Sequence, residues 1–208
     1  MRRALTVTFA AFAAGIALAG CGGSGSTGAT TESTSTSAFK GGTVDPVVAA
    51  PELGLKTFDG RTVRMAGLRG KVALVTFVYT QCPDVCPLIV DNLIRVKRGL
   101  GPAGKRLRIV AVSVDPSGDT PAAIRKFLVA HRALGNVDYL VGSSKQLEAT
   151  WARWGILARR SKDNPALIEH SGWVWGIDPQ GRRATFYPAV GFDPVDIASD
   201  VRAMLGSS

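Results

Sequence analysis

The chain has little of what metal-rich or membrane-spanning proteins depend on: its 208 residues hold three cysteines, two histidines and three methionines. Met65 and Met204 are the only methionines beyond the first residue, which excludes a methionine-rich metal relay. No apolar run is long enough to span a bilayer, a task that takes roughly 20 strongly apolar residues. The nearest candidate, Ala4 to Ala19, is interrupted by Thr6, Thr8 and Gly15. Acidic residues are also few, 16 against 25 Lys and Arg, giving a formal net charge of +9. That excess favours anionic lipid headgroups or an acidic partner. Nucleic acid is not an expected partner, because Arg95, Lys97, Arg98, Lys105, Arg106, Arg108, Arg159, Arg160 and Lys162 are scattered and form no continuous stripe. No internal repeat is visible.

What is present begins with Met1-Arg2-Arg3 and a segment of small and apolar residues free of acid, the pattern of a signal peptide over residues 1–20. Leu18-Ala19-Gly20-Cys21 resembles the lipobox of bacterial lipoproteins, which implies that Cys21 becomes the acylated first residue of the processed chain. Buried acyl carbons contribute about 0.8 kcal/mol each, so more than one chain on Cys21 would hold the protein at a membrane without a helical span. This points to the extracytoplasmic face of a bacterial cell membrane. Residues 21–38 are dominated by Ser, Thr, Gly and Ala, with Glu32 the only charge, and such a segment has too little to bury to offset its ordering entropy. It reads as a tether, and residues 39–208 read as one domain of ordinary size.

Within that domain Leu55 to Phe58 and Arg61 to Met65 flank Asp59-Gly60, a tight hairpin at the N-terminal side of the fold. Val72 to Val78 is apolar on both parities, as in a strand covered on both faces. Leu88, Ile89, Leu93, Val96 and Leu100 follow at helical spacing. A second buried strand runs from Leu107 to Val114, then Asp119 or Thr120 caps a helix from Ala122 towards His131. Asp138 to Val141 reads as a strand, Lys145 to Trp154 as a helix, and Gly172 to Ile177 with Arg183 to Tyr187 as a hairpin. Asp193-Pro194 opens a last helix. Two crossovers, a hairpin and a closing helix give an α/β domain with a mixed central sheet flanked by helices, compatible with a thioredoxin-like fold carrying an N-terminal β-hairpin extension.

Cys82 and Cys86 fall between the buried strand and the first helix, the place where functional groups of open α/β sheets gather. Pro87, comfortable in a first helical turn, puts Cys86 near the cap. Free N–H groups and the positive helix end favour a thiolate there, and a thiolate is both a nucleophile for disulfide exchange and a soft metal ligand. A static disulfide is the bland alternative, but a loop of so few residues constrains the unfolded chain little. His170, taken by itself, reads more readily as a strand-mouth residue bonded to backbone than as a ligand. His131, at the end of a helix, reads as a surface or cap residue. Asp115 and Asp119 serve turn formation and capping as well as they would serve a site, and Trp173 and Trp175, which share a parity, either cover the site or fill a sheet face.

Three motifs in order carry a family resemblance. Thr80-Gln81-Cys82-Pro83-Asp84-Val85-Cys86-Pro87, then Val114-Asp115-Pro116 with Asp119-Thr120-Pro121, then His170-Ser171 followed by Ile177-Asp178-Pro179, resemble the Sco family of copper chaperones for cytochrome c oxidase, from about Leu53 onward. The resemblance implies that Cys82, Cys86 and His170 bind one copper ion, as Cu(I) and also Cu(II), with Cys82 and Cys86 redox-active. It implies as partners the copper-receiving subunit of the oxidase and a copper donor or thiol reductant. Glu169 stands where the family has an acidic residue before the histidine, and with Asp115 and Asp119 it is a candidate for orienting the site or meeting a partner. The stretch from Arg159 to Leu167 is short for the family. A carrier of copper is the leading reading. A membrane-anchored thiol-disulfide reductase that keeps the copper-receiving cysteines reduced is the enzymatic alternative, and a copper-sensing or storage module the third. A general oxidoreductase or peroxidase fits less well, since three residues lie between the cysteines where the usual redox pair has two, and no X-Pro immediately precedes the Gly172 strand.

Overall fold

The computed structural model describes residues 39–206. All of them fall in one compact unit, Thr36–Ser208. The expected signal peptide and tether, with Cys21, lie outside the described residues.

The centre is built from strands that the sequence makes apolar on both sides. β4 (Val72–Val78) is buried at every position and lies parallel to β5 (Leu107–Ser113), which lies parallel to β6 (Val137–Val141). Two crossovers connect them, through α1 (Val85–Gly99) and α2 (Pro121–Ala130). α3 (Ser144–Trp154) follows β6, begins with a capping box on Ser143 and Gln146, and ends at Gly155 in the left-handed region, where a side chain would be strained. β9 (Trp173–Ile177) runs antiparallel to β4, β10 (Arg182–Pro188) antiparallel to β9, and α4 (Pro194–Gly206) closes the fold. The sheet is therefore mixed and flanked by helices, as expected.

Strand alternation sorts the two faces. Phe77 meets Trp154 of α3, with ring centroids 5.9 Å apart, so Val75, Phe77, Trp173 and Trp175 share the α3 face. Gly176 opens towards Met204 of α4, so Leu74, Thr76 and Val174 share the other. α1 packs against α4, and Nδ1 of His131, the C-cap residue of α2, lies 3.0 Å from Asp91 of α1.

The N-terminal hairpin is present as expected, as β2 (Leu55–Thr57) and β3 (Thr62–Val63), and β2 pairs with β6, so it extends the main sheet. Other elements depart from expectation. A further strand, β1 (Gly42–Ala49), was not foreseen; it pairs with β10 at the opposite edge, with an irregularity between Thr43 and Val48. Its residues are almost all exposed, so no period-two burial marks it. A separate hairpin, β7 (Ala158–Arg160) with β8 (Ile168–His170), also went unread, and His170 closes a strand instead of opening one. Finally, α1 starts at Val85, capped by Asp84, which puts Cys86 inside the first turn. Thr120, not Asp119, caps α2 through its hydroxyl.

Candidate dithiol and imidazole site

β4 ends at Val78, and Tyr79 to Pro83 carries the chain over to α1. Cys82 is half-buried in that loop and Cys86 is fully buried; both are free thiols. The backbone N–H of Cys86 points to Cys82 Sγ at 3.3 Å, so an unpaired donor of the first helical turn serves the sulfur. Hydrogen bonding from the Cys86 thiol, and then from this backbone N–H, lowers the Cys82 pKa to about 6. The same thiol pair, together with burial, pushes Cys86 far up. The two cysteines are thus unequal, an accessible thiolate in front of a buried thiol.

His170 arrives from 84 positions along the chain. Its Nε2 lies 4.0 Å from Cys86 Sγ, and its Nδ1 lies 3.0 Å from the carbonyl oxygen of Ser171. An Nδ1–H donated to that carbonyl leaves the Nε2 lone pair facing the sulfur. Burial lowers the imidazole pKa, which favours the neutral, ligating form. A metal bonded at about 2.3 Å to sulfur and about 2.0 Å to nitrogen in a trigonal arrangement separates those atoms by about 3.7 Å. The Cys86–His170 spacing is close to that value. Among the described residues, however, no three His, Cys, Asp or Glu side chains are gathered as they stand into a group that could hold a metal ion. Cys82 Sγ accepts from the Cys86 N–H at 3.3 Å, and the three side chains must draw closer to share one ion.

The acidic residues support this assembly from behind. Asp119 is buried and accepts from Thr80 N at 2.8 Å, Ser113 Oγ at 2.6 Å and Tyr139 Oη at 2.8 Å, tying the cysteine loop to β5 and β6. Burial raises its pKa. Asp115, also buried, accepts from Arg160 Nη2 at 3.0 Å, and so anchors the β7–β8 hairpin that presents His170. Glu169 is turned aside to Arg159, 2.7 Å away across the hairpin. Trp173 and Trp175 do not cover the cysteines; they lie on the sheet face towards α3.

Residue reading alone missed three contributors. Tyr79 Oη accepts from Ile168 N at 3.3 Å and stands edge-on to the His170 ring, Arg160 ties down the hairpin, and Ser171 orients the imidazole. Only Ser171, beside the histidine, had a local signal.

The unequal thiols give a direct test. In the reduced, metal-free protein, Cys82 is expected to react with iodoacetamide with a midpoint near pH 6, since the reactive thiolate accumulates as pH rises through the lowered pKa. Cys86 stays unmodified in the folded state. A midpoint near that of a free thiol, read by mass spectrometry across pH, contradicts this.

A mixed sheet with a dithiol at the mouth of its first crossover helix defines a thioredoxin-like protein. Within that class the chain belongs to the SCO1/SenC family, whose model matches residues 49–206. It is 28% identical over 148 residues to the SCO1 protein homolog of Bacillus subtilis, covering 70% of this chain and 77% of that one. It spans 54% and 62% of the lengths of two further relatives. Among solved structures it is similar to Bradyrhizobium japonicum ScoI with copper bound, at 25% identity and a TM-score of 0.66 over 75% of this chain and 99% of that one. BsSco, a member of the Sco family of cytochrome c oxidase assembly proteins, shares the fold at 24% identity and a TM-score of 0.67, over 80% of this chain and 99% of that one.

Proposed function

We propose that the protein is an extracytoplasmic copper chaperone, held to the membrane through acylated Cys21, that serves the copper centre of cytochrome c oxidase. The observation that carries this reading is His170 Nε2 facing Cys86 Sγ at 4.0 Å, with the other ring nitrogen committed to backbone. Copper is the cargo. Two soft sulfurs suit Cu(I), and one imidazole makes Cu(II) tolerable. A three-ligand shell that must draw together to hold its ion is also one that can open to release it. The similar Bradyrhizobium protein, solved with copper bound, supports the choice of metal.

Transfer is tested with reduced protein carrying one Cu(I), mixed with the metal-free copper-receiving domain of an oxidase. Loss of one equivalent to that domain is expected, and retention of the metal argues against a chaperone. The anchor is tested separately: Cys21→Ser abolishes incorporation of labelled palmitate and moves the protein from the membrane fraction to the soluble one. An unchanged distribution contradicts the anchor.

A second reading, a thiol-disulfide reductase, is favoured by the lowered Cys82 pKa. The Cys82 thiolate attacks a target disulfide, one target sulfur leaves as a thiolate, and Cys86 resolves the mixed disulfide, so that the target gains two electrons and the pair becomes a disulfide. A receiving domain whose cysteines stay oxidised after addition of the reduced protein removes this reading.

A further inference from the structure

Away from the cysteines, a cavity of about 750 Å³ opens where the end of α3 meets β1, β9 and β10, and it shares no lining residue with the Cys82 and His170 cavity. Its volume is in the range of small-molecule sites. Three half-buried rings form its floor, Trp173, Trp175 and Phe186, with centroids 5.5 to 6.3 Å apart. The Arg183 guanidinium lies 5.0 Å above Trp175. Trp154, only 1% exposed, forms a wall.

Polar groups here are unbalanced. Nε1 of Trp154, Nε1 of Trp175 and Nε of Arg183 are buried donors without a hydrogen-bond partner. An indole nitrogen can only donate, and a buried donor left unmade costs about 1 to 3 kcal/mol. By contrast, Trp151, one turn earlier in α3, donates to the Ser113 carbonyl at 2.9 Å. The lining residues Arg153 and Arg183 outnumber the single acid, Asp45. A cavity with aromatic walls, spare donors and excess positive charge lacks a flat apolar body that carries acceptor oxygens.

We infer that this cavity is a binding site for a planar aromatic anion. The ligand's ring packs against Trp173, whose plane is tilted 43° from that of Trp175, and its anionic oxygens accept from Arg183 and the two indoles once the side chains that cover those donors shift. The site is independent of copper binding, since none of its residues belongs to the dithiol and imidazole group.

The test titrates 2-naphthoate, and naphthalene as its uncharged counterpart, into the full chain. One saturable site is expected, at least tenfold tighter for the carboxylate, and at least tenfold weaker in Arg183→Gln. In nitrogen-15 spectra of the wild type, the indole N–H signals of Trp154 and Trp175 move on binding and that of Trp151 does not. Equal affinity for the two probes, an unchanged affinity in Arg183→Gln, or indole signals that stay in place overturns the inference. Should Arg183→Gln fail to fold, the two probes and the wild-type indole signals decide the matter alone.

Discussion

Replacing His170 with alanine is expected to lower the Cu(I) affinity of the reduced protein by about 100-fold or more while leaving its fold intact. Removing a group that merely orients a metal ligand already costs about 10- to 100-fold, and loss of the ligand itself starts at the upper end of that range. The fold should survive because His170 is a half-buried residue at the end of a three-residue strand. The register of β8 is held by pairing to β7 and by Ile168 N bonding Tyr79, neither of which needs the imidazole. Competition against a Cu(I) chelator measures the change. His131→Ala provides the control: that ring faces Asp91, while the backbone N–H of the same residue caps α2, so copper affinity should stay the same. Equal affinity in wild type and His170→Ala removes the ligand role.

The largest expected loss of stability comes from a residue remote from the chemistry. Asp200, 1% exposed in α4, accepts from Lys40 N at 2.8 Å, Gly41 N at 2.9 Å and Tyr187 Oη at 2.6 Å. One carboxylate thus fastens the start of the folded domain to its last helix and last strand. The same bond and burial push the Tyr187 pKa well up, so its proton stays in place. Gly41 is required by the fit: a Cβ there would stand 2.3 Å from the Tyr187 ring. Hydrogen bonds to charged groups contribute about 1.5 to 3 kcal/mol each, and two of these three donors regain water once freed, so Asp200→Ala should cost about 3 to 5 kcal/mol. In a domain of this size that lowers Tm by roughly 6 to 20 °C. Asp200→Asn, which keeps an acceptor, should lose less. Thermal unfolding checks both, and amide exchange at Gly41 should quicken in the alanine variant. A midpoint within 2 °C of wild type, on the order of a surface substitution, contradicts the account.

The parts of the fold that were legible in sequence are those whose burial repeats along the chain. Val72–Val78 and Leu107–Ser113 are apolar on both parities, apart from Thr76, Arg108 and Ser113, because both sheet faces are covered, and α1 shows its stripe because one side meets the core. The same logic exposed the dithiol, since Cys82 and Cys86 fall where a buried strand gives way to a helix. β1 was hidden because an edge strand with exposed residues and a proline carries no alternation. β7 and β8, at three residues each, are held by a partner strand and by Arg160 reaching Asp115, contacts that no local pattern announces. Asp119, which read equally as a cap or as a support for the site, is a buried brace for Thr80. Asp200 had left a trace: it sits three residues from Ile197 and four from Met204, a carboxylate on an apolar stripe, and such a residue needs a partner.

X-ray absorption of the reduced protein loaded with one Cu(I) bears most directly on the copper site. Two sulfurs at about 2.3 Å and one imidazole nitrogen at about 2.0 Å are expected, with the nitrogen lost in His170→Ala. A shell of sulfur alone in the wild type, identical in the variant, would mean that Cys82 and Cys86 hold the metal without the imidazole brought beside them.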